Sequence, residues 1–202
     1  MNSITTILFD LGGVLYDINM KRTQDSLSLL AGSEIDYSIA SQHDVFSLFE
    51  SGKITAQEFR DGLRTAYNIT ATDDELDAAW NALLVGVIPN RIEMLQRVKT
   101  KFRIALLSNI NVIHHDRIDD EVKELFAQFD TLFLSYDVGM RKPNEDIYRH
   151  ALAKLQATPQ EVLFIDDSPL NIYTAQKLGI HAYHVTQTFT VEGIVERMMT
   201  LA

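Results

Sequence analysis

Four short stretches of the chain carry side chains able to do chemistry. They are Asp10, the pair Ser108-Asn109, the loop Arg141-Lys142-Pro143, and the pair Asp166-Asp167 with Asn171 beyond it. Three carboxylates brought to one place repel one another, and a hard divalent cation together with a lysine relieves that repulsion. Magnesium takes oxygen ligands, usually one or two carboxylates plus phosphate and water. A hydroxyl and backbone amides at 108–109 suit an anionic oxygen. Each piece also has an ordinary reading: Asp10, Ser108-Asn109 and Asp166-Asp167 can cap helices, and a lone lysine is usually a surface group. What favours a shared site is order, because each signal falls at the same end of an expected parallel strand or in a loop beside it.

The first of those strands sets the frame. In Ile-Leu-Phe-Asp-Leu-Gly-Gly-Val-Leu, residues 7–15, an apolar run stops at Asp10 and two glycines break it. A carboxylate ending a buried strand is costly to desolvate without a partner, and the carboxyl edge of an open α/β sheet is where ligands bind. From Pro89 onward strands and helices alternate, with strands at 103–108, 131–135, 162–166 and 180–185. Helices are expected at 90–100, 116–128, 144–156, 169–178 and 191–199. Strands separated by helices of ten or more residues imply right-handed βαβ units. The expected class is α/β, a Rossmann-like parallel sheet flanked by helices.

Between the first strand and this core, residues 19–84 read as consecutive helices without a convincing strand. Leu27, Leu29 and Leu30 mark the first, which Gly32-Ser33 closes; the second runs over 37–50. Capping boxes at Thr55–Glu58 and Thr72–Glu75 start the third and fourth, the last carrying Leu76, Trp80, Leu83 and Leu84. The expected division is therefore a core of 1–16 plus 86–202 and an inserted four-helix unit of 17–85. Hinges are expected near Asp17 and over 84–88.

The formal net charge of −10 disfavours nucleic acid or an anionic membrane as partner. The 202 residues hold no cysteine, which removes disulfides and thiolate zinc sites and fits a reducing cytoplasm. The N-terminus shows no signal-peptide pattern, and no apolar run nears the ~20 residues that span a bilayer. Cytoplasmic localisation is expected; the composition says nothing about protein partners.

Taken together, the four stretches resemble the haloacid dehalogenase superfamily of phosphohydrolases. Phe9-Asp10-Leu-Gly12-Gly-Val is similar to its first motif, Leu107-Ser108-Asn109 to the second, Arg141-Lys142-Pro143 to the third, and Ile165-Asp166-Asp167 with Asn171 to the fourth. The inserted helices resemble its α-helical cap, and Glu50-Ser-Gly52-Lys-Ile54 looks like that subgroup. The resemblance implies a magnesium-dependent phosphatase for a small phosphorylated metabolite, a sugar phosphate among the candidates. It makes Asp10 a nucleophile that forms an aspartyl-phosphate. Magnesium would be held by Asp10, the Gly12 carbonyl and Asp167, with Asp166 a ligand through water or a support. Ser108 and the Asn109 amide would hold phosphoryl oxygens, Lys142 would neutralise charge, and Asn171 would orient the lysine or its loop.

One position departs from the family pattern. Most of these phosphatases place an acid-base aspartate two residues after the nucleophile, where this chain has Gly12. Glycine at this position is similar to that of sugar-1-phosphate phosphatases. General acid-base catalysis contributes roughly 10²–10⁴-fold, so the expected substrates have leaving groups needing little protonation, such as an anomeric hydroxyl, an acyl group or a phenol. Asp17, Asp116, His114 and His115 are the candidate replacement shuttles, the two histidines reading otherwise as an exposed helix start. Two rival functions are a metal-free haloacid dehalogenase, which the Asp166-Asp167 pair disfavours, and a non-catalytic phospho-ligand-binding protein that lost turnover at Gly12.

Overall fold

The computed structural model describes residues 4–35 and 44–201. Its centre is β1 (Thr6–Phe9), whose four residues are all buried. Around it lies a five-stranded sheet in the order β5-β4-β1-β6-β7, with β4 at Arg103–Ser108, β5 at Thr131–Leu134, β6 at Val162–Asp166 and β7 at His181–His184. All four pairings are parallel. The chain builds outward from β1 on one side and then crosses to the other, which makes the carboxyl end of β1 a topological switch point.

Side-chain alternation sorts the sheet into two faces. Ile7, Phe9, Ile104, Leu106, Leu163 and Ile165 face one apolar cluster. It is completed by α5 (Arg91–Lys99), α6 (Val112–Phe126) and α10 (Val191–Leu201). Leu8, Ala105, Leu107 and Phe164 face the other, packed on α8 (Glu145–Leu155) and α9 (Pro169–Lys177). A three-layer α/β sandwich is the result, as the alternation of the sequence anticipates.

The inserted segment forms α1 (Met20–Ala31), α2 (Asp44–Glu50), α3 (Ala56–Tyr67) and α4 (Asp73–Asn81). Both expected capping boxes form, at Thr55/Glu58 and Thr72/Glu75. These helices share a third apolar cluster that includes Leu27, Phe46, Phe49, Phe59, Leu63, Leu76 and Trp80. The Phe49 and Phe59 rings stack 4.2 Å apart, and Ile113 of α6 joins the cluster from the core. The part of the second helix expected over 37–43 lies outside the described residues.

Three local differences from the sequence reading have physical causes. Leu84 is not helical: β3 (Leu84–Val87) pairs antiparallel with β2 (Tyr16–Ile18), so two short strands stand where the chain leaves and re-enters the core. Four residues with an internal glycine give too short a pattern to reveal a strand. Helix α6 starts a turn before 116 because the Asn111 side chain caps it, accepting from the His114 amide at 3.0 Å. Ser135 opens a one-turn helix, α7 (Ser135–Val138), instead of ending β5; its hydroxyl donates to the Ile110 carbonyl and accepts from the Ile110 amide. Among the described residues no helix is long and apolar enough to cross a membrane.

Candidate active site

Strand register does most of the assembly. Phe9 lies opposite Leu106 on one side and Ile165 on the other, so Asp10 and Asp166, the next residues on their strands, and Ser108, two beyond Leu106, emerge together at the carboxyl edge. The Asp10 amide still donates to the Ile165 carbonyl at 2.9 Å, holding the carboxylate at the last rung.

Lys142 reaches into this edge from the loop before α8. Its Nζ lies 2.7 Å from Asp10 Oδ1 and 2.6 Å from Asp166 Oδ2, and the residue is 1% exposed. The loop is anchored by Asn109, whose Nδ2 donates to the Lys142 carbonyl at 2.8 Å while its Oδ1 accepts from the Lys142 amide at 2.9 Å. Burial alone would lower the Lys142 ammonium, but the Asp10 and Asp166 charges outweigh it and hold the group above its usual value. Burial raises the Asp10 carboxyl well above its ordinary value; Lys142 opposes the rise, and Asp166 and Asp167 add to it. Protein groups alone therefore leave Asp10 short of positive charge.

The donor set fits a hard cation. Asp10, Asp166 and Asp167 each offer an oxygen, and these oxygens lie within 4.8 Å of one another. Asp166 is already committed within the protein. Its Oδ1 accepts from the Ser168 amide at 2.7 Å and Asn171 Nδ2 at 3.0 Å, and its Oδ2 takes Lys142 and the same Asn171 group. Both oxygens engaged suit a supporting carboxylate better than a direct ligand. Asn171 thus contacts the carboxylate that holds Lys142. Gly13, at φ +68°, opens the approach of Asp167: a Cβ there would stand 2.1 Å from Asp167 Oδ2.

Ser108 is buried and, with Gly12 and Asn109, walls one end of a cavity of about 180 Å³. The rest of the wall is mainly apolar: Ile18, Met20, Trp80, Leu83, Leu84 and Ile118 among others. His114 also lines it, contrary to the expected exposed helix start. The residue is buried, its ring stacks on Trp80 at 4.8 Å, and its Nε2 meets the Trp80 carbonyl at 3.1 Å. Burial pushes its imidazole down to about 4, against a weaker upward pull from that carbonyl. His115 instead meets the Tyr136 hydroxyl at 2.8 Å, and Asp17 and Asp116 are exposed.

Glu50, at the end of α2, is a site residue that sequence reasoning quoted without assigning. It reaches the cavity wall and pairs with Arg141 at 2.9 Å, linking the inserted helices to the residue before Lys142. Burial raises its carboxyl, with Arg141 and then Lys142 opposing. A glutamate beside the Ser51-Gly52 turn was the available signal, but its partner lies 91 residues away in sequence.

Known proteins share both the sequence and the arrangement. A haloacid dehalogenase-like hydrolase family model matches residues 4–179. D-ribitol-5-phosphate phosphatase of Bacteroides thetaiotaomicron is 28% identical over 187 residues, 89% of this chain and 91% of that protein. A sesquiterpene phosphatase of Aspergillus oryzae is 27% identical over 186 residues, 90% of this chain and 89% of that one. A crystal structure of a Bacteroides thetaiotaomicron enzyme of this family, in complex with magnesium and inorganic phosphate, superposes with a TM-score of 0.79. It is 32% identical, over 91% of this chain and 95% of that one. With strand-end carboxylates, a buried lysine between two of them and a family match over most of its length, the chain belongs to the haloacid dehalogenase-like hydrolases.

Proposed function

We propose that the protein is a magnesium-dependent phosphatase that hydrolyses a small phosphorylated metabolite through a phospho-Asp10 intermediate. The observation that carries this reading is the Lys142 ammonium clamped between Asp10 and Asp166, with Asp167 within reach of the same point. Phosphoryl transfer needs little beyond alignment and charge neutralisation, and this edge supplies both. The two similar phosphatases act on a polyol phosphate and a sesquiterpene, so the reaction class is common to them while the leaving group is not.

Asp10 attacks phosphorus, its carboxylate oriented by the Leu11 amide at 2.7 Å and by Lys142. Ser108 and the Asn109 amide bind phosphoryl oxygens. Lys142 offsets charge on both the nucleophile and the phosphoryl group, and Asn171 and Asp166 hold it in place. Asp10, the Gly12 carbonyl and Asp167, with Asp166 behind them, would hold magnesium, which would supply Lewis acidity there. Residues 17–85 act as a cap over a core of 1–16 and 86–202, moving about the β2–β3 pair and excluding water on closure. The absence of cysteine suits work in the cytoplasm.

Phosphate release from a panel of sugar, nucleotide, acyl and aryl phosphates tests this, with and without magnesium and with Asp10→Asn. The reading requires magnesium-dependent release that the substitution abolishes. A folded protein that binds magnesium and releases phosphate from nothing in the panel would instead be a binding protein.

A further inference from the structure

The cavity beside Ser108 has a size and a lining that discriminate among leaving groups. At about 180 Å³ it is close to the ~150 Å³ apolar cavity that stays dry and accepts a benzene ring in another protein. Ile18 and Met20 bound it near the β2–α1 connection, Trp80 from the end of α4, Leu83 from the turn after it, Leu84 from β3 and Ile118 from α6.

His114 and the Asn109 side chain, which border the cavity, are already committed. Both ring nitrogens of His114 have partners, Asn111 Nδ2 at 3.0 Å and the Trp80 carbonyl at 3.1 Å. The Asn109 side chain is spent on the Lys142 backbone. Glu50 is charge-paired with Arg141, although its buried Oε2 makes no hydrogen bond. A polyol chain placed here would surrender water without gaining equivalent hydrogen bonds, which is unfavourable for every hydroxyl it buries.

A second observation is independent of the cavity's volume. Gly12 has no side chain to protonate a departing oxygen, and Ile18 Cδ1 stands 3.1 Å from where its Cβ would be. An apolar atom therefore crowds the place from which an acid would act. His114 does not replace it, since burial keeps its ring neutral near pH 7. The leaving oxygen must depart carrying its own charge, which a phenol tolerates far better than an alcohol.

We propose that the preferred substrate is the phosphate monoester of a single-ring phenol, its ring seated in the cavity formed by Ile18, Met20, Trp80, Leu83, Leu84 and Ile118. This rests on the phosphatase reading and specifies its substrate class. In the first step the bond between an Asp10 oxygen and phosphorus forms as the phosphorus–aryl oxygen bond breaks. The electron pair leaves on the aryl oxygen, which solvent protonates. Water then bonds to phosphorus, the Asp10–phosphorus bond breaks, and both water protons leave with dihydrogen phosphate.

The test compares phenyl phosphate, cyclohexyl phosphate, a pentitol phosphate and acetyl phosphate on the full chain with magnesium, measuring kcat and KM separately. Phenyl and cyclohexyl phosphate should share a low KM, because both fill the cavity, while phenyl phosphate alone has a high kcat. Its kcat/KM should exceed that of the pentitol phosphate by about 100-fold. Leu84→Trp, which fills the cavity, should raise KM for phenyl phosphate about tenfold, and more than it raises that for acetyl phosphate. As a binding readout, phenylphosphonate should inhibit at lower concentration than methylphosphonate. Turnover of the pentitol phosphate equal to or better than phenyl phosphate would overturn the substrate class and leave the phosphatase reading standing. No phosphate release from any compound would overturn both.

Discussion

At the floor of the site, three carboxylates and a buried ammonium converge on the carboxyl edge of the sheet, with Asp10, Asp166 and Lys142 fixed by hydrogen bonds. The cavity next to it is walled by Trp80, leucines and isoleucines, and the His114 ring and Asn109 side chain that border it have partners elsewhere. The first region is expensive to desolvate and stays charged only because opposite charges are held in place. The second is cheap to desolvate and gains from an apolar ligand. On the proposed reading such a division leaves reaction type to the floor and substrate choice to the cavity.

Breaking the floor should have the largest effect. Lys142→Met leaves Asp10 and Asp166 facing each other in a buried setting. Without magnesium it should lower unfolding stability by about 3–5 kcal/mol, read by denaturant titration. Turnover should fall by roughly 10²–10³-fold.

The cavity wall has its own signature, in pH. His114 holds its imidazole near 4 in the fold, whereas an unfolded chain takes up that proton near the ordinary 6.5. Between these values the unfolded state binds more protons, so stability is full above about pH 6.5 and declines as pH falls toward 4. The loss from this group amounts to roughly 3 kcal/mol. His114→Phe should flatten the slope of stability against pH in that window while leaving the rest of the curve in place.

A subtler break of the floor is Gly13→Ala. The added methyl meets Asp167 Oδ2 and forces a left-handed residue to carry a Cβ. Magnesium affinity, measured calorimetrically, should weaken about 10–100-fold. The smallest change joins the two regions: Gly12→Asp installs an acid where Ile18 Cδ1 must give way. It should improve turnover of poor leaving groups on the order of tenfold. The dependence of rate on leaving-group pKa, steep in the native protein, should become shallower; a native dependence that is already flat would sink the argument from Gly12.

The contrast between floor and cavity also explains what could be read from sequence. Asp10, Ser108 and Asp166 end strands whose apolar runs are unmistakable, so local pattern alone brings them to one edge. Lys142 follows from the loop that Pro143 marks. The cavity could not be read this way, because it depends on how the inserted helices dock. Trp80 reads as core from its helical spacing, and it is buried, yet it also walls the cavity. His114 looks like an exposed helix start until Asn111 caps α6 early and turns the ring toward Trp80. The β2–β3 pair escaped because Leu84 follows a helix and Gly86 interrupts the alternation. Glu50 lacked only its partner: the Arg141 contact exists because α2 packs beside α7.

The most direct test of the central claim is to trap the covalent intermediate. Acid-quenching a turnover of radiolabelled phosphate ester and mapping the labelled peptide should place an acid-stable, base-labile phosphoryl group on Asp10, with none in Asp10→Asn. Phosphate release with no labelled protein at any quench time, or label on another residue, would contradict the account.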